Sequence, residues 1–247
     1  MTNMDNMRKY LLIIIILVSF LPAYSNSIRV VTDNYPPYNY RIDSRVVGLS
    51  TEVVKAVLQT ADIDYSKIEM KPWPRIYKIA LYKKNVLIYS IAKTEKRVNK
   101  FKWVGKIAPF EVYVYSNKDV NVDSINDLKH FKIGAVKDDM RAHFLIDKGL
   151  KSNVEYVEND KKNVLKLISN RIDIMLNDKI SMHYRLKKLG GAQSKVKKIM
   201  RIDRLSLGLY MACSNKTPDS IVNKCRMALK KLKSSGRYQQ ILDKYLK

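Results

Sequence analysis

The sequence predicts an α/β protein built on largely parallel sheets, and three observations lead there. From Ser27 onward, short β-type runs alternate with helical stretches instead of clustering by type. Val53, Val54, Val57 and Leu58 recur at helical spacing, whereas residues 86–90 form a continuous, mostly apolar run of strand length. A chain of 247 residues that is 46% hydrophobic and 28% charged can bury one large core or two smaller ones, so disorder throughout is excluded.

In chain order, residues 28–32 read as a strand and residues 33–38 as a loop, since Pro36 and Pro37 forbid a helix there. A helix is expected over 48–61 with Ser50 or Thr51 as its N-cap. Pro72 and Pro74 frame Trp73 ahead of a helix over 76–82. The strand over 86–90 then delivers residues 91–97 at its C-terminal end. After residues 112–115 a second unit follows: a short helix over 124–128, a strand over 132–136, and a helix over 140–146 capped by Asp138 or Asp139. It continues with a strand over 154–157, a helix over 162–169, a strand over 172–176 and a helix over 179–189, broken by Gly190-Gly191. A strand over 205–213 and two helices, separated at Ser234-Ser235-Gly236, complete the chain.

The N-terminus has the form of a cleaved secretory signal. Arg8 and Lys9 precede an apolar run over 11–21 that ends in Ala23-Tyr24-Ser25, small residues at the spacing of a cleavage site. The run is about half of the roughly 20 apolar residues that cross a bilayer. Residues 1–25 are therefore expected to be removed on export. In an oxidising compartment Cys213 and Cys225 can pair as a disulfide across a short loop; two buried thiols are the other reading.

Charge suggests a different partner at first sight. Lys and Arg number 47 against 23 Asp and Glu, a net charge of +24 that points to polyanions. The bases are scattered, with only small clusters at Lys195-Lys197-Lys198 and Lys230-Lys231-Lys233, and no nucleic-acid-binding signature accompanies them. No nucleic acid partner is expected, and the charge reads as a solvated surface. Two cysteines and three dispersed histidines, His130, His143 and His183, lack metal-ligand spacing, so no metal site is expected.

Chemically suggestive residues gather at the C-terminal ends of the expected strands, where open α/β sheets bind ligands. They are Asp33 and Tyr35, Ser90 and Arg97, Asp138 and Asp139, and Asp178. A guanidinium from one unit and a carboxylate from the other form a clamp for a zwitterion.

The residues around these positions resemble the bacterial extracellular solute-binding protein family 3, the polar amino acid type. Tyr35-Pro36-Pro37-Tyr38-Asn39-Tyr40 followed by Gly48-Leu49-Ser50-Thr51-Glu52 is similar to that family's opening strand, loop and helix. Ile91-Ala92-Lys93-Thr94-Glu95-Lys96-Arg97 with Phe101 and Trp103 resembles its signature segment. Asn170-Arg171-Ile172-Asp173 leading to Asn177-Asp178, and the ending from Ala228 through Lys244-Tyr245, complete the likeness over residues 27–247.

The resemblance implies a type II, Venus-flytrap periplasmic binding protein: two lobes, two hinge strands and a central cleft that closes by hinge motion. Lobe I would be 26–111 plus 206–247, and lobe II 112–205. It also implies that Arg97 binds the ligand α-carboxylate beside the Ala92 backbone, that Ser90 and Asp178 take the ammonium, and that Tyr35 and Trp73 stack on the side chain, with Arg75 reaching the cleft. Asp138 and Asp139 stand where many members have a Gly-Thr-Thr turn; they either cap a helix or signal an unusual ligand. The implied protein is a periplasmic, non-catalytic monomer without cofactor that delivers an amino acid or similar small polar solute to an ABC transporter permease in the inner membrane. A dehydratase-like enzyme on the same scaffold, with Asp138, Asp139 or Asp178 as its acid or base, is the main alternative; an anionic-surface binder and a sensor module are others.

Overall fold

A computed structural model describes residues 27–246, so the expected leader over 1–25 lies outside the described residues. In the first pass of the chain, β1 (Arg29–Thr32) runs through a loop into a hairpin of β2 (Tyr40–Ile42) and β3 (Arg45–Val47). Helix α1 (Leu49–Thr60), β4 (Ile68–Met70), α2 (Trp73–Tyr82), β5 (Val86–Ile91) and β6 (Phe101–Ala108) follow. The second unit comprises β7 (Val112–Ser116), β8 (Ile133–Val136), α3 (Met140–Asp147), β9 (Val154–Val157), α4 (Asp160–Ile168), β10 (Ile174–Asp178), α5 (Lys179–Lys188) and β11 (Lys197–Arg201). The chain returns through β12 (Leu209–Ser214) to α6 (Asp219–Ser234) and α7 (Arg237–Leu246).

These strands form two five-stranded sheets, ordered β4-β1-β5-β12-β6 and β11-β7-β10-β8-β9. Two segments, 109–111 and 202–208, carry the chain from one sheet to the other and back. The sheets are mixed, not largely parallel. β1 runs parallel to β4 and β5, but β12 is antiparallel to β5 and β6 because it re-enters the first sheet from the opposite direction. In the second sheet β7 is antiparallel to β10 and β11, while β8 pairs in parallel with β10 and β9.

The apolar pattern explains the layers. Every residue of β5 is buried, as a strand covered on both faces requires. Val53, Val54, Val57 and Leu58 of α1 pack with Leu87, Tyr89 and Cys213 against the first sheet. A separate buried cluster runs from Tyr35, Tyr38 and Leu49 through Phe110 to Val112, Ile174 and Leu176, so apolar contact is continuous between the two units.

Three local expectations change. Gly48, not Ser50 or Thr51, stands at the N-cap of α1; both hydroxyl residues are buried within the first turn, and Thr51 Oγ1 bonds the Tyr89 hydroxyl at 2.9 Å. A Cβ at Gly48, whose φ is +117°, would lie 2.5 Å from the Tyr38 carbonyl oxygen. Helix α2 begins at Trp73, because Pro74 sits in the first turn, where a missing N–H goes unused. Cys213 and Cys225 are buried free thiols, so the disulfide reading does not hold; both belong to the apolar cluster under β12 and α6, where they pack as small hydrophobes.

Candidate functional site

The loop after β1, the start of α2, the turns after β5 and β8, the crossing segment 109–111 and the first residue of β12 converge between the two sheets on a cavity of about 40 Å³. Of the expected residues, Arg97, Ser90, Ala92, Tyr35, Trp73 and Asp139 line it.

Arg97 lies in a 3₁₀ turn, Glu95–Lys100, immediately after β5. Its side chain is only 7% exposed, and its guanidinium carbon stands 4.9 Å from the Trp73 ring centroid and 5.3 Å from that of Tyr77. Burial pulls its pKa below the ordinary arginine value. Among the described residues it has no carboxylate within ion-pair distance, and it donates to the Ala92 carbonyl at 3.4 Å. The aromatic faces offset part of its desolvation, but its donors toward the cavity suit an anion.

Ser90 adopts a left-handed backbone, φ 59°, and its hydroxyl donates to Asn39 Oδ1. The Asn39 amide in turn donates to the Asp33 carbonyl at 2.7 Å and to its carboxyl at 3.1 Å. Burial pushes the Asp33 carboxyl up to about 7 against the pull of Asn39. Asp33 was noted in the sequence for its place after β1; its facing the cavity as a weakly satisfied acid is visible only in three dimensions.

From the second unit, Asp139 caps α3 by accepting from the Arg141 backbone at 2.7 Å. Its carboxylate also binds the Arg141 guanidinium at 2.8 and 3.1 Å, which holds it below the usual carboxylate range despite burial. Arg141 also reaches Asp160 at 3.0 Å, Asn177 Oδ1 at 2.8 Å and the Leu176 carbonyl at 3.2 Å. Arg141 thus neutralises Asp139 beside the cavity, while the Asp138 side chain is exposed on a neighbouring groove. Asp160 and this network were missed in the sequence, since their pairing depends on α4 folding back over β8 and β10. Asp160 Oδ1 and Asn177 Nδ2 are buried without a hydrogen-bond partner among the described residues.

Three expected residues are not on the cavity wall. Arg75 is exposed on α2. Asp138 faces a neighbouring groove, and only its carbonyl takes part in the cleft, accepting from Trp73 Nε1 at 3.1 Å. Asp178 is fully buried at the end of β10, where it caps α5 by accepting from the Ile180 and Ser181 backbones, each at 3.0 Å. It also accepts from the Tyr38 hydroxyl at 2.6 Å and the Tyr35 hydroxyl at 3.2 Å. Burial nevertheless raises its pKa to about 6. The two tyrosine rings stack with centroids 5.6 Å apart, nearly parallel, beside Asp178. Tyr38 was read only as part of a motif, and nothing in sequence spacing marks its reach to Asp178.

Residues 28–247 match the family model of the bacterial extracellular solute-binding proteins, family 3. The chain belongs to that family. No curated protein sequence matches it. Among solved structures this family 3 protein is similar to a histidine kinase sensor domain with similarity to periplasmic binding proteins, at 15% identity and a TM-score of 0.78, over 89% of this chain and 96% of that one. A Streptococcus mutans structure from work on glutathione import by GshT and the cystine ABC importer TcyBC shares 20% identity, with a TM-score of 0.78, over 89% and 95% of the respective chains. A Salmonella typhimurium periplasmic binding protein of high arginine specificity shares 20% identity, with a TM-score of 0.74, over 90% and 99%. At these identities the likeness is one of fold, and it is the two-lobe fold of periplasmic binding proteins.

Among the described residues no helix is long and apolar enough to cross a membrane, and no group of three His, Cys, Asp or Glu side chains could hold a metal ion.

Proposed function

We propose that this family 3 protein captures a small solute bearing a carboxylate, an amino acid being the best-suited class, and presents it to an ABC transporter permease in the inner membrane. In this reading the exported chain, freed of residues 1–25, works in the periplasm as a non-catalytic monomer. Lobe I is 26–111 plus 206–247, and lobe II is 112–205.

One observation carries the reading: Arg97 is desolvated at the cavity with no carboxylate within ion-pair distance among the described residues. A guanidinium so placed gains most from a bidentate carboxylate. The ammonium of an amino acid then falls to Asp33, not Asp178. Asp178 already accepts from the Tyr38 hydroxyl and the Ile180 and Ser181 backbones and shares the Tyr35 hydroxyl proton with Asn177, whereas Asp33 accepts at its carboxyl from Asn39 and faces the cavity. An ammonium beside Asp33 draws its proton off and completes the pair. Neighbours named for arginine specificity and glutathione import support an amino-acid-like solute.

A cavity of about 40 Å³ is far below the roughly 300–1,000 Å³ of small-molecule sites. The lobes must therefore part to admit a solute, turning on the two crossing segments. The contacts to be exchanged are Trp73 with the Asp138 carbonyl, the Tyr35 and Tyr38 hydroxyls with Asp178, and Lys96 with Asp147.

The test is mass spectrometry of the solute released from denatured protein, followed by thermal unfolding of wild type and Arg97→Ala with that solute added. Stabilisation of the wild type and none of the variant is expected. Equal affinity of the two proteins would sink the clamp. The likeness to a histidine kinase sensor domain favours a second reading, in which the same clamp reports the solute to a signalling partner. Uptake of labelled solute in cells lacking the protein separates the two.

A further inference from the structure

We propose that the solute is an α-amino acid whose side chain is an elongated arm ending in a second anionic group. This rests on the Arg97 clamp and adds the chemistry of what lies beyond it. The central cavity shares Trp73, Arg97 and Met140 with an interlobe groove of about 740 Å³. That volume lies inside the range of small-molecule sites, and the cavity alone does not. An amino acid head held at Arg97 would leave the groove to water, while a head with an arm fills both.

The lining of the groove indicates what the arm carries. Tyr77, Phe144, Leu205 and Leu207 supply apolar surface from both sides of the cleft. Around them stand Lys78, Lys93, Lys100 and Lys148, none of which has a carboxylate within ion-pair distance among the described residues. The acids of the groove offer them little relief. Asp147 is engaged by Lys96 at 2.6 Å, Glu95 faces Arg204 at 3.8 Å, and Asp138 alone stands among the four lysines without an ion pair among the described residues. Lys93 lies instead over the Trp103 ring, 5.7 Å from its centroid. The space on the opposite flank of the cavity differs in kind, because Asp33, Asp139, Glu158 and Asp160 are interleaved there with its bases. A surplus of positive potential is therefore built into one flank, beside Arg97, and a cleft with low-dielectric walls focuses it on an incoming anion. The matching solute is a γ-glutamyl-type or similarly extended amino acid with a terminal carboxylate.

Titration calorimetry with three probes tests this: γ-glutamylglycine, γ-glutamylglycinamide of equal length without the terminal charge, and glutamate with a short arm. Each is titrated into the wild type, the exposed double variant Lys93→Gln/Lys100→Gln, and Arg97→Ala. The acid should bind the wild type about 10-fold more tightly than its amide, as a moderately desolvated charge contact implies. That preference should collapse in the double variant and shrink in high salt, while the affinity for the amide stays put. If acid and amide bind equally, if the preference survives in the double variant, or if glutamate matches the longer acid, the groove has no such role; the Arg97 reading then stands as long as Arg97→Ala abolishes binding. Wild-type affinity in Arg97→Ala overturns both, and failure of all three probes to bind overturns the proposed arm.

Discussion

Two buried guanidiniums face the same small cavity from opposite units, and they are built for opposite purposes. Arg141 is saturated: Asp139, Asp160, Asn177 and the Leu176 carbonyl take its donors. Arg97 has two aromatic faces, one long bond to a carbonyl and, among the described residues, no carboxylate within ion-pair distance. The first is a structural rivet of the second unit; the second is, in the proposed reading, the place where the solute's carboxylate binds. Burial is nearly equal, 4% exposed for Arg141 and 7% for Arg97, so burial alone does not separate the two; the lack of a carboxylate within ion-pair distance of Arg97 among the described residues does.

Substituting both arginines is the most direct way to break this contrast. Arg97→Ala should weaken solute binding by about 100-fold or more, since a buried charge-assisted pair contributes roughly 2–5 kcal/mol. Its unfolding free energy should change by no more than about 2 kcal/mol, the scale of the lost ring contacts. Arg141→Ala should do the reverse, costing about 3–5 kcal/mol of stability because Asp139 and Asp160 stay buried without their cation. Chemical denaturation and calorimetry on both variants check the pair, and a reversed pattern would exchange their roles.

Asp178→Ala separates the two candidate ammonium partners. Loss of its cap on α5 should destabilise the protein by about 1–2 kcal/mol. If solute affinity drops as far as in Arg97→Ala while folding holds, Asp178 and not Asp33 receives the ammonium.

The pH dependence sharpens the same point. Asp33, pushed up to about 7, and Asp178, pushed up to about 6, keep protons in the folded state that the unfolded chain releases near its ordinary value of about 4. The folded protein therefore binds more protons than the unfolded chain through that window. Stability of the solute-free protein should fall as pH rises from about 4 to 7. Asp33→Asn should flatten the upper part of that fall and weaken binding of an ammonium-bearing solute at pH 8. Denaturant midpoints across pH for the wild type and Asp33→Asn provide the measurement.

The smallest effect is expected at Lys96. Its bridge to Asp147 joins the two lobes, but both partners are more than half exposed, at 67% and 55%. Lys96→Ala should leave the thermal midpoint unchanged, as solvent-screened pairs generally do.

The sequence made the alternation of strands and helices legible, because β5 is continuously apolar and α1 has its stripe at helical spacing. It also placed Tyr35, Ser90, Arg97 and Asp139 at strand ends, and the family resemblance added Ala92 and Trp73; all six line the cavity. What it could not show was which charges neutralise which. The pairing of Arg141 with Asp160, and of Asp178 with Tyr38 across 140 positions, depends on tertiary contact that leaves no local pattern. The antiparallel direction of β12 escaped for a similar reason. A strand's composition says nothing about the side from which it enters its sheet.

That strand also has a consequence for how the protein is made. β12 lies between β5 and β6 in the finished first sheet, yet it is synthesised after every strand of the second. Until it arrives, β5 and β6 each present an unpaired edge, and β5 is apolar on both faces. The second sheet can assemble entirely from contiguous chain, but the first must wait with its centre open. Long-range closure of this kind slows folding, and exposed edges template the wrong pairings. The nascent chain is thus most vulnerable to aggregation between completion of β6 and delivery of β12, a window in which a holding chaperone has a defined target: the two strands that will later flank it.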